Sequence, residues 1–172
     1  MPSTHANRPQ RHAVADWLSA AASDRQRAHE EWREQGIALL QCGLLFSAVR
    51  IPADLVWSAA GSTGAETVAR FVAGTLRGGV FAHPAGRRYY ALVGTDAGRH
   101  WREPDAEVLG AGTYLGVPAV DRTSAATDLA AFWVVPMTRP GALCAARDVA
   151  ELVAVGRAAL VRSPSNGGDG GE

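Results

Sequence analysis

The segment Gly36-Ile-Ala-Leu-Leu-Gln-Cys-Gly-Leu-Leu-Phe-Ser-Ala-Val-Arg-Ile-Pro52 constrains the fold more than any other part of the chain. Its side chains are mostly apolar and lie between a glycine suited to end a helix and a proline, so the segment belongs in the interior. Two short buried strands account for it, Ile37 to Gln41 and Leu45 to Ile51, joined by a tight turn at Cys42-Gly43 where glycine frees the backbone. Strand alternation sends Phe46, Ala48 and Arg50 to one face and Leu45, Ser47, Val49 and Ile51 to the other. Arg50 therefore interrupts an apolar face. A guanidinium stays charged at any ordinary pH, so this position requires water, an acidic partner or a bound anion. Ser47, a small residue inside a strand, reads as a packing position rather than a nucleophile.

On the N-terminal side, residues 1–8 are polar and expected to be flexible. From Pro9 to Gln35 the apolar residues Val14, Trp17, Leu18, Ala21, Ala28 and Trp32 recur at helical intervals and form an amphipathic stripe. Ser23 followed by Gln26 has the capping-box pattern, which predicts a break at Ser23-Asp24 and two helices. Gly36 is the expected C-terminal cap.

After Pro52 the pattern predicts a short helix over 53–60, then a helix over 66–76 with Thr63 as its cap and Gly78-Gly79 as its stop. A strand at 80–82, a turn at His83-Pro-Ala-Gly86 and a strand at 88–93 follow. Residues 94–105 read as a polar loop. Glu107 opens a strand, a glycine turn and a second strand over 113–117, a loop spans 119–128, and 132–136 is the last strand. A helix over 149–160 closes the domain, and residues 163–172 are an expected disordered tail. Helices set apart from mostly antiparallel strands define a single α+β domain over residues 9–162, a mixed sheet flanked by helices.

Composition excludes several classes. No apolar run reaches the roughly 18 residues that a bilayer-crossing helix requires, and the first residues carry no hydrophobic signal core, so no membrane and a cytoplasmic setting are expected. The 17 basic residues, all arginine, balance 17 acidic ones, which argues against wrapping nucleic acid through bulk charge but leaves room for a local arginine patch. Arginine, alanine and glycine usage suggests a high-GC bacterial genome. Cys42 and Cys144 lack metal-ligand spacing and read as buried, inert thiols. No catalytic signature, catalytic residue, metal site or cofactor emerges from the motifs. His83 and His100 stand in loops with no nucleophile near them in sequence, and a loop site built on His100, Asp105 and Glu107 is a minor alternative.

The ordered set Gly43-x-x-Phe-x-Ala-Val-x-Ile-Pro52, Gly86-Arg-Arg-Tyr-Tyr-Ala-Leu92, Gly112-Thr-Tyr-Leu-Gly-Val-Pro118 and Trp133-x-x-Pro136 resembles the N-terminal domain of bifunctional DNA primase/polymerases, in particular small actinobacterial proteins of that kind. The similarity runs from about Trp32 to Gly156. The resemblance implies a primase/polymerase-like fold and an active centre of carboxylates and a histidine holding divalent metal and triphosphate. Its two strand acids fall at Arg50 and Pro52, its histidine at Arg88, and its third acid at about Glu107. Arginine repels a cation at a metal position, so polymerase activity is not expected.

What remains is either an Arg50–Glu107 pair plugging a closed cleft or an anion or nucleotide site. That site would use Arg50, Arg87, Arg88 and Glu107, with Tyr90 and Tyr114, and also Tyr89 and Trp133, as stacking surfaces. The leading expectation is a catalytically inactive domain that binds nucleotide, nucleic acid or a protein partner. The alternative is an interaction or scaffolding module that docks or dimerises through its N-terminal amphipathic helix.

Overall fold

The computed structural model describes residues 7–124 and 129–163. The expected tail from residue 164 onward, the first six residues and part of the 119–128 loop lie outside the described residues. The helices are α1 (Arg8–Ser19), α2 (Arg25–Gln35), α3 (Ala53–Ala60), α4 (Ala65–Leu76), a single turn α5 (Ala97–His100) and α6 (Ala146–Arg162). The strands are β1 (Ile37–Gln41), β2 (Ser47–Pro52), β3 (Val80–His83), β4 (Arg88–Val93), β5 (Glu107–Leu109), β6 (Tyr114–Pro118) and β7 (Phe132–Val135). Among the described residues the named strands pair antiparallel, with one isolated parallel bridge between Val93 and Cys144, so the domain is α+β as expected.

Local chemistry sets most boundaries. Asn7 caps α1 in a reciprocal box with Gln10, and Pro9 stands in the first turn where its missing N–H costs nothing. The break between α1 and α2 lies where expected, but the cap is Asp24, whose carboxylate accepts from the Arg27 N–H, rather than Ser23. Gly36 ends α2 at φ +75°, a conformation that side-chain-bearing residues rarely adopt. Thr63 does not cap α4. Gly64 holds that position, and Ser62 Oγ accepts from its N–H. The polar loop at 94–105 is interrupted by α5.

One topological expectation is overturned. β1 and β2 do not form a strand pair across Cys42-Gly43. They belong to different sheets, β1 pairing with β6 in a two-stranded ribbon and β2 standing in a five-stranded sheet of order β5-β2-β4-β3-β7. Each strand finds a partner far along the chain, and the short connection passes from one layer to the next instead of folding back.

The alternation of β2 then sorts the interior into two cores. Val49 and Ile51, with Ala91, Val93 and Val80, pack under α3, α4 and α6. Phe46 and Ala48, with Leu92, Phe81 and Trp133, pack under the ribbon, α1 and α2. The stripe of the N-terminal helices belongs to this second core: Val14, Leu18, Ala28 and Trp32 are buried there, and half-buried Trp17 tilts against Phe46 at 6.2 Å. The stripe is thus largely taken up by the core, with Trp17 its partly exposed member.

Two tryptophans fasten the ribbon. Trp32 Nε1 on α2 donates to the Val117 carbonyl at 2.9 Å, and Trp133 Nε1 on β7 donates to the Pro118 carbonyl at 3.0 Å. Consecutive carbonyls at the end of β6 are thus tied to different layers, which sets the separation between ribbon and sheet.

Both cysteines are buried, as expected, and burial pushes the Cys42 thiol up to about 11 and the Cys144 thiol up to about 12. Ser47 Oγ is buried without a hydrogen-bond partner. A buried hydroxyl that has lost water and gained nothing is destabilising, so Ser47→Ala is expected to stabilise the protein by about 1 kcal/mol. A urea midpoint that falls in the alanine variant would contradict this.

Candidate functional site

The pleat of the five-stranded sheet assembles a polar row on the face toward the ribbon. Arg50 stands opposite Tyr90 on β4 and opposite Glu107 on β5. Pro52 stands opposite Arg88, and Arg88 opposite His83. Between this row and the ribbon opens a cleft of about 280 Å³, near the lower end of the ~300–1,000 Å³ usual for small-molecule sites. Arg50, His83 and Tyr90 line the sheet side, and Thr113 and Tyr114 the ribbon side.

The sequence-derived candidates divide in this geometry. Arg50 Nη2 donates to Glu107 Oε2, joining two of them directly. Their side chains remain 42% and 60% exposed, so the pair lies at the mouth of the cleft and water reaches it. Tyr90 is half-buried, stacked on Phe81 at 4.9 Å with rings 16° apart, which presents its edge and hydroxyl rather than both faces. Tyr114 is 51% exposed and its hydroxyl accepts from Gln41 Nε2. It is the freest aromatic surface on the cleft. Trp133 is in the core and offers no platform, and Tyr89, on the opposite face, accepts from Trp57 Nε1 at 3.1 Å.

Arg87 and Arg88 do not converge with Arg50 as a cluster. Arg87 has φ +51°, so it falls outside the strand alternation and swings toward α3, where Nη2 meets Asp54 Oδ1 at 2.8 Å. Its guanidinium also lies 5.3 Å from the centre of the Trp57 ring. Arg88 lies on the Arg50 face by register, two strand positions from Tyr90, and is exposed; its Nη1 is 3.4 Å from the Arg87 carbonyl. Arg88 is therefore a rim cation, and Arg87 belongs to a different surface.

His83 lines the cleft, although nothing in its sequence surroundings singles it out. Its signal was the hairpin between β3 and β4, whose register sets it opposite Arg88. The loop acids behave differently. Arg157 on α6 binds Glu103 and Asp105, each at 2.8 Å, and Trp101 Nε1 donates to the Glu103 and Ala106 carbonyls. Hydrogen bonds to Asp105 and then Glu103 raise the Arg157 guanidinium above its ordinary range. These contacts make the loop a fastening for α6, with His100 exposed beside it.

The electrostatics of the cleft follow from the residues present. Among the described residues, no three His, Cys, Asp or Glu side chains come together as a metal site would require. The ionised groups of the row are Arg50 and Arg88 against Glu107. Exposed ion pairs contribute roughly 0–1 kcal/mol, whereas a guanidinium hydrogen-bonded to a charged partner contributes about 1.5–3 kcal/mol. With both side chains reached by water, the Arg50–Glu107 pair is an exposed one and contributes little to stability by itself.

The chain matches no family model, no curated protein and no solved structure. No helix among the described residues is long and apolar enough to cross a membrane.

Proposed function

We propose that this chain is a catalytically inactive primase/polymerase-like domain that binds a phosphorylated ligand, a nucleotide or a nucleic-acid strand, in the cleft between ribbon and sheet. The observation that carries this reading is Arg50, a solvent-reachable guanidinium on the inner face of an interior strand, paired among the described residues with one exposed carboxylate. Arg50 receives the phosphate, Arg88 at the rim adds attraction at longer range, and Tyr114 across the cleft gives a base a surface to lie against. The same residue supports the absence of catalysis. A fixed positive charge where the resembling family would hold a metal ligand repels the divalent ion that phosphoryl transfer requires.

The test is titration of a nucleoside triphosphate and of a short single-stranded oligonucleotide, followed by calorimetry. Arg50→Ala is expected to weaken binding about tenfold or more, since it removes a charge-assisted hydrogen bond. Glu107→Gln is expected to tighten it several-fold by freeing the guanidinium. An Arg50→Ala isotherm indistinguishable from wild type would reduce the pair to a structural plug. Primer extension with Mg²⁺ or Mn²⁺ would overturn the inactive assignment.

A further inference from the structure

We infer that the protein has a second anion site, between α1, α2 and the segment after β6, which takes the phosphates of an oligophosphate. A cavity of about 410 Å³ opens there and shares no residue with the inter-sheet cleft. Among the described residues its wall carries Arg8, Arg11, His12, His29 and Arg33 with one lining carboxylate, Asp121, while Asp16 faces His29 from beside the wall and Arg11 is not free. The whole chain balances 17 basic residues with 17 acidic ones, so this excess is a local concentration and not a share of a basic surface.

The first turn of α1 runs against a local preference here, whereas Arg33, in the last turn of α2, conforms to it. Arg8 and Arg11 occupy the first turn of α1, which holds no acidic residue, although the positive end of the helix dipole disfavours cations. The side chains of Arg8 and Arg33 make no ion pair or hydrogen bond among the described residues. Unneutralised like charges around one cavity raise the energy of the empty state, and an anion relieves it. Conflicts between local preference and placement concentrate at functional sites.

The wall is also firmly built. Trp32 at its base is 8% exposed and tied to the Val117 carbonyl. His29 stands edge-on to Trp32 at 5.4 Å, with Nε2 3.4 Å from Asp16 Oδ1. With Trp32 only 8% exposed, its ring gives a base little surface to stack on. The arginines of the wall favour recognition through phosphates, which their planar donor forks fit.

Inorganic tripolyphosphate is the probe, titrated at low salt into wild type, Arg50→Ala and Arg8→Gln/Arg33→Gln. The double variant is expected to lose about 100-fold in affinity at this site, about tenfold for each charge-assisted contact. Arg50→Ala leaves the site intact, which separates it from the cleft. Arg8→Lys/Arg33→Lys, which keeps the charge, stays within about tenfold of wild type and distinguishes lost electrostatics from a damaged fold. The assignment is overturned if wild type binds no tripolyphosphate, if the glutamine variant binds as wild type does, or if Arg50→Ala alone abolishes binding. Equal loss in the lysine variant would overturn it as well.

Discussion

Trp133→Ala is expected to lower the unfolding free energy by about 3–5 kcal/mol, the cost of emptying a large aromatic site in a packed core. Trp133 is 1% exposed and lies edge-on to Phe81 with ring centres 5.4 Å apart. The substitution also removes the donor to the Pro118 carbonyl, at a further cost of about 1–3 kcal/mol if no water replaces it. Against a typical total of about 5–15 kcal/mol, this loss leaves a marginal protein. Trp133→Phe keeps most of the apolar bulk and loses the hydrogen bond, so its cost should be the smaller part. Because the ribbon is the far wall of the cleft, the proposed function predicts that the phenylalanine variant also binds nucleotide more weakly while still folded. Urea unfolding with an unchanged slope gives both numbers. An alanine variant within about 1 kcal/mol of wild type would mean that Trp133 does not hold the ribbon.

The second large effect is a contrast between two glycines. Gly156 of α6 lies against α3, where an added Cβ would be 2.9 Å from the Leu55 carbonyl carbon and closer still to its oxygen. Backbone cannot turn aside as a side chain can, so α6 must move away from α3. Overpacking costs about 1–3 kcal/mol, this backbone clash lying at the upper end, and alanine's helix preference returns about 1 kcal/mol. Gly156→Ala should therefore lose about 2 kcal/mol, a fall of roughly 4–8 °C in Tm for a domain of this size. Gly74 of α4 is also helical but has nothing within 4 Å of its added Cβ. The same substitution there should gain about 1 kcal/mol. Two Gly→Ala changes in helices with opposite signs of ΔTm are the expected result, and a stabilised Gly156→Ala variant would show that the helix contact is not as close as described.

Much of this architecture was legible in the order of side chains, and the unforeseen parts share a cause. The helix at 53–60, the strand at 88–93 and the facing of Phe46, Ala48, Val49 and Ile51 follow from periods that backbone geometry imposes within a few residues. Asp24 in place of Ser23 as cap is a shift of one position between two competent residues. The pairing of β1 with β6 rather than β2 was not legible. A glycine turn after an apolar strand suits a hairpin and a crossing between layers equally well, and the choice depends on partners more than 70 residues away. The meeting of Arg50 and Glu107 was anticipated through a family resemblance, not through periodicity. Arg87 was misplaced because a single residue with positive φ removes its side chain from the strand's alternation.

The sequence by itself determined where most helices and strands form, α5 excepted, which face of β2 is apolar, and that a charge interrupts that face at Arg50. Those properties depend on neighbours along the chain. Only the tertiary structure decided that Glu107 would meet that charge, that His83 and Tyr114 would share its cleft, and that arginines of α1 and α2 would gather around a second cavity. Strand register and layer packing join segments tens of residues apart, and a chain read in order carries no distance between them.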